Sequence, residues 1–145
     1  MRRGLALLPK HGHALLVVDE GAAGATNTTL NMHWHLHTFA NVTADSDKPI
    51  VLLQSLINGT HSEAEVVFVS GRDCPGASIT VSEVVNGPDP NASGWKDLGA
   101  RRLTITAPAH SCKQLAVVIG AGAASWGANI QVHPLDQWEA VGPVQ

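Results

Sequence analysis

The chain has 145 residues, a formal net charge of −3, 44% apolar residues and only 14% charged ones. This length suits one domain spanning residues 1–145, with enough chain to bury a core unaided. The weak, slightly acidic charge excludes a nucleic-acid binder, which needs a basic stripe to displace counterions from phosphate. No apolar run reaches the ~18 residues of a membrane span.

Met1-Arg2-Arg3 followed by Leu5–Leu8 imitates the start of a signal peptide, but the apolar stretch is shorter than the roughly 7–15 residues an h-region needs, and Pro9 and Lys10 end it. His13–Asp19 is a short, β-branched apolar run that reads as a buried strand. Leu30–Phe39 alternates apolar and polar residues. Ile50–Leu53 and Glu63–Val69 flank the turn dipeptide Asn58-Gly59. Ser78–Val85, Arg101–Thr106, Lys113–Ile119 and Asn129–Val132 complete the series. The connections Gly21–Gly24, Asp45–Pro49, Cys74–Gly76, Asn86–Gly94 and Gly120–Gly127 are rich in Gly, Pro, Asn and Asp, and no segment holds a helical period over three turns. The pattern predicts an all-β chain, an antiparallel β-sandwich of roughly seven to nine short strands.

Asn31-Met32-His33-Trp34-His35-Leu36-His37-Thr38 is the most unusual local feature. Side chains alternate along a strand, so His33, His35 and His37 line one face while Met32, Trp34 and Leu36 line the other, the natural core side. Successive histidines of the row stand about 6.6 Å apart. Three uses suit such a face: a solvated polar surface, a sugar-contacting surface, or a metal site. Two imidazoles, His33 and His35, are close enough to share a zinc ion, with the further ligand drawn from another strand, for which Asp19, His13 and His133 are candidates. Nothing in the chain requires a cofactor. Trp34 reads as core rather than as a sugar-stacking platform, and His11-Gly12-His13 as an incidental loop pair.

Other chemistry is poorly represented. There is no G-x-S-x-G elbow, and tyrosine is absent. Asp45-Ser46-Asp47 lacks the Gly and distal Glu of a calcium loop, and Gly120–Gly127 lacks phosphate-loop spacing. Cys74 and Cys112 either pair, closing a long loop worth roughly 4 kcal/mol in the chain-entropy model, or stay as two buried thiols. Four N-glycosylation sequons begin at Asn27, Asn41, Asn58 and Asn91, where seven Asn and eighteen Ser plus Thr predict roughly one by chance. Sequons and cysteines together point to a secreted or extracellular protein, periplasmic if bacterial. A secreted character without a signal peptide predicts the C-terminal part of a longer chain.

The order Arg2-Arg3 with Leu5–Leu8, then His13-Ala14-Leu15-Leu16-Val17-Val18-Asp19-Glu20, then Trp34-His35-Leu36-His37-Thr38, resembles the start of the C-terminal β-sheet domain of heparinase II/III-like polysaccharide lyases. The match is clearest over Arg2–Thr38. Further on, Arg101–Thr106 and Leu115–Ile119 are similar to that domain's closing strands. The resemblance implies an enzyme that cleaves uronic-acid polysaccharides by β-elimination: a base removes the C5 proton and an acid, often Tyr, protonates the departing oxygen. In that family a helical toroid bears most of the machinery, so this chain would be an accessory, cleft-forming domain, inactive alone, with polysaccharide and an upstream toroid as partners. No catalytic residue is carried over; only Asp19 and His37 match motif positions, and a hydrogen bond between them on neighbouring strands is the expected role. The alternative is a non-catalytic secreted carbohydrate-binding or adhesion sandwich.

Overall fold

The computed structural model describes residues 2–21, 30–44, 49–57, 59–69, 74–84, 99–141 and 143. Among them are nine strands: β1 Arg2–Leu8, β2 Ala14–Glu20, β3 Asn31–Thr38, β4 Asn41–Ala44, β5 Ile50–Ile57, β6 Thr60–Phe68, β7 Ser78–Glu83, β8 Arg101–Pro108 and β9 Gln114–Gly120. They form two antiparallel sheets, one of six strands in the order β1-β2-β9-β6-β5-β4 and one of three in the order β3-β8-β7. The expected all-β antiparallel sandwich is what the chain adopts. No helix among the described residues is long and apolar enough to cross a membrane.

Two apolar layers result, because the six-stranded sheet is covered on both faces. Its inner face carries Val17, Leu115, Val117, Val66, Phe68, Val51 and Leu53, packed against Met32, Trp34, Leu103, Ile105 and Ala107 of the small sheet. Its outer face carries Leu16, Val18, Ala116, Val118 and Val67, and these pack under Ala123, Trp126, Ile130, Leu135 and Trp138. Two-sided burial explains why β2 and β9 read as unbroken apolar runs, while β3 and β8, buried on one side, alternate. The covering segment is a strap of short 3-10 turns (Ala123–Ser125, Gly127–Asn129, Leu135–Gln137) and one helical turn, Trp138–Val141.

The strand map departs from expectation in four places. Arg2–Leu8 is an edge strand, its register fixed by Arg2↔Glu20 and Leu8↔Ala14. Asn41–Ala44 is a strand too short to show a period, recruited by pairing with β5. Asn129–Val132 is not a ladder strand: it belongs to the strap, where Ile130 and Val132 gain burial on the outer core. Strand β3 also stops at Thr38, leaving Phe39 exposed in the turn to β4. The β5–β6 hairpin closes with Ile57 opposite Thr60, and Gly59 takes φ +78°, the conformation that favours glycine in tight hairpins.

Cys74 and Cys112 form a disulfide, both residues fully buried. The bridge ties the segment before β7 to the turn between β8 and β9.

Candidate functional site: a histidine and hydroxyl face

The outer face of the three-stranded sheet is assembled by register. His33 lies opposite Thr106, His35 opposite Thr104 and His37 opposite Arg102. On the far side of β8, Ser78, Thr80 and Ser82 face the same three residues. Residues directly opposite in an antiparallel pair point the same way, so the nine side chains form one grid: three imidazoles, one guanidinium and five hydroxyls. It contains no carboxylate; Glu83, at the end of β7, is set off from it beside Arg101, 3.7 Å away.

The imidazoles are exposed, while Met32 and Trp34 are buried and Leu36 is half-buried. The expected division of this strand therefore holds. Nδ1 of His33 sits 3.1 Å from Oγ1 of Thr106, and Nδ1 of His35 sits 3.0 Å from Oγ1 of Thr104; which partner donates depends on the imidazole tautomer. These contacts hold the two rings upright and nearly parallel, 6.0 Å between centroids and 4° between planes. His35 titrates below the usual imidazole range. Desolvation is the first cause, followed by the positive charge of Arg102 and then by His33 and His37.

Parallel rings held by threonines do not converge on a common point. Asp19, His13 and His133, the candidate third ligands, are placed elsewhere. Asp19 belongs to the inner face of the other sheet, His13 precedes β2 in a φ +60° turn, and His133 lies in the strap. Among the described residues no group of three or more His, Cys, Asp and Glu is placed to hold a metal.

Asp19 and His37 are not partners. Strand β2 lies between β1 and β9, and β3 pairs with β8 in the other sheet, so no ladder joins the two residues. Asp19 instead receives two hydrogen bonds from Arg3, from Nε at 2.6 Å and Nη2 at 2.7 Å. Its neighbour Glu20 points to the opposite face. There it accepts from Arg2 at 2.8 Å, from Gln114 Nε2 at 3.2 Å and from the backbone N–H of Leu135 at 2.7 Å. The Asp19-Glu20 pair that anchored the sequence resemblance thus ties β1 and the strap to β2. His11, of the incidental loop pair, stacks on Trp126 with 4.3 Å between ring centroids.

Arg102, Thr104, Thr106, Ser78, Thr80 and Ser82 complete the face, and sequence reading did not assign them to it. Their alternation with Leu103, Ile105, Ile79 and Val81 is visible in the chain, but the register that sets them beside the histidines is not. Of the sequons, Asn41 lies exposed on β4, whereas Asn27, Asn58 and Asn91 lie outside the described residues, as does Asp45-Ser46-Asp47. No protein-family model matches the chain, and neither the curated proteins nor the solved structures match it.

Proposed function

We propose that this protein is a secreted β-sandwich that binds uronic-acid-containing polysaccharide on the histidine and hydroxyl face, as the accessory, cleft-forming domain of a heparinase II/III-like lyase. The observation that carries the reading is the grid itself. It is a sheet surface of five hydroxyls and three exposed imidazoles with one guanidinium, and none of these nine side chains is a carboxylate. Hydroxyls and imidazoles donate to and accept from sugar hydroxyls, and Arg102 supplies a permanent charge for a carboxylate or sulfate. The two exposed, nearly parallel imidazoles, 6.0 Å between ring centroids, offer successive contacts along an extended chain.

The grid binds and orients; a general base and acid for β-elimination would come from the partner helical toroid. Asp19 is consumed by its pairing with Arg3 inside the sandwich, which favours a binding role and keeps the second reading, a stand-alone non-catalytic carbohydrate-binding domain, in play. No metal enters either reading.

The test is titration of the full chain with heparin-like and alginate-like polymers, beside a neutral glucan, with absorbance of unsaturated uronate followed in parallel. Binding to the acidic polymers without turnover is expected, lost or weakened about tenfold in Arg102→Gln, equivalent to about 1.4 kcal/mol. Full turnover by these residues alone would overturn the division of labour, and no binding to any polymer would sink the carbohydrate reading.

A further inference from the structure

Strand β4 ends the six-stranded sheet; among the described residues its ladder partner is β5, and β7 of the small sheet lies near it. Such an edge offers unpaired N–H and C=O groups to any passing strand, so folded proteins blunt it. Asn41 and Thr43, the first and third residues of a sequon, are both exposed on β4. Val42 between them turns inward onto the core.

Register places the neighbours of Asn41. It lies directly opposite Gln54, and Thr43 lies opposite Leu52. The residues two positions either side of Gln54 on the same face of β5 are Leu52 and Leu56, within about 7–8 Å of Asn41 by sheet geometry. Leu52 is half-buried, and Leu56 is 62% exposed. Ile50 at the start of β5 packs against the outer core, whereas Leu56 near its end is exposed. Acceptor amide, sheet edge and open apolar side chains therefore coincide.

We infer that Asn41 carries an N-linked glycan that shields the β4 edge and the Leu52/Leu56 surface. The step is a group transfer from a lipid-pyrophosphate-linked oligosaccharide. Nδ2 of Asn41 forms a bond to the anomeric carbon, the bond from that carbon to the pyrophosphate oxygen breaks, and the amide proton leaves with the lipid pyrophosphate. The sugar chain, hydrated and bulky, excludes an approaching strand and covers the leucines. The inference rests on secretion and stands apart from the binding role of the histidine face.

The full chain, secreted from a eukaryotic cell line behind an added leader peptide, is digested before and after peptide-N-glycosidase treatment in ¹⁸O water. The peptide containing Asn41 is expected as labelled Asp only after the enzyme. Asn41→Gln and Thr43→Ala each lose one glycan by intact mass, and Thr43→Ser retains it. By sedimentation, Asn41→Gln is expected to self-associate at concentrations where the glycosylated chain stays monomeric. Adding Leu56→Lys, a charge on the bare surface, restores the monomer. An unmodified Asn41 beside occupied Asn27, Asn58 or Asn91 overturns the inference alone. No glycan on any sequon overturns it together with the secreted reading. A glycan whose loss leaves sedimentation unchanged overturns the shielding role.

Discussion

His35 is the residue whose titration reports on the candidate site. Its neutral form is favoured because part of its surroundings is desolvated and because Arg102 on β8, with His33 and His37 on its own strand, opposes a further positive charge; β7 contributes only hydroxyls to this face. The folded-state value lies below the unfolded one, so folding excludes a proton at this ring. The associated stability is fully present above the ordinary imidazole value of 6.5 and declines as pH falls through it toward the depressed value. Two measurable outcomes follow. The NMR titration midpoint of His35 is expected below 6.5, moving upward in Arg102→Gln. A bound polyanion is expected to raise it, because an anion favours the charged ring; a midpoint unmoved by heparin-like polymer would remove His35 from the contact surface. Asp19 bears on stability through burial. It is 1% exposed while its partner Arg3 is 54% exposed, so water already screens one end of the pair. The hydrogen bonds from Arg3 matter mainly by satisfying a carboxylate that would otherwise be stranded. Arg3→Ala is expected to cost roughly 2–3 kcal/mol in urea denaturation, below the full cost of breaking a wholly buried pair. Arg3→Ala together with Asp19→Asn should recover part of it.

At the scale of elements, the strap decides the outer face. It is held by polar contacts at defined points: the Leu135 N–H on Glu20, the Ala124 N–H on Glu65, and the His133 carbonyl, which accepts from both Gln114 Nε2 and Trp138 Nε1. The fit against β1 leaves no room at Gly4, where an added Cβ would collide with Leu135 and come within 2.9 Å of the Trp138 ring. Gly4→Val is therefore expected to lift the end of the strap and lower stability by about 1–3 kcal/mol, as overpacking does. The signature is faster hydrogen exchange confined to residues 133–141. Gly12→Ala meets no neighbour, yet the residue sits at φ +67°, so its smaller cost would come from the backbone alone. On the opposite face, β1 projects Leu5 and Leu7 beside Leu15 and Val17, beyond the reach of the three-stranded sheet, leaving them 63% and 67% exposed.

For the whole molecule, the mismatch between a six-stranded and a three-stranded sheet sets the architecture. The small sheet needs its inner face, and above all Trp34, 4% exposed, to seal the core. Trp34→Ala is expected to cost about 3–5 kcal/mol. The Cys74–Cys112 bridge spans a sequence separation of 38 and fastens the small sheet's connections to each other. In the chain-entropy model it contributes ~4 kcal/mol. Reduction should lower the melting temperature by roughly 10 °C, and an unchanged transition would show that the packing of the two sheets is sufficient without it.

Strand character was legible wherever burial imposes a simple rule. Two-sided burial made β2 and β9 continuous apolar runs, one-sided burial made β3 and β8 alternate, and Asn58-Gly59 marked its hairpin. The same alternation turned Met32 and Trp34 inward and the imidazoles outward. What local rules do not encode is pairing. Strands β1 and β4 exist because a neighbour supplies their hydrogen bonds. Residues 129–132 form no strand, only an isolated bridge at Val132, because burial on the outer core claims them instead. Asp19 meets Arg3 rather than His37 because β2 and β3 joined different sheets. The histidine row was visible in the chain, but the threonines, serines and arginine that make it a surface arrive from strands more than forty residues away, brought there by a register that only the folded sheet defines.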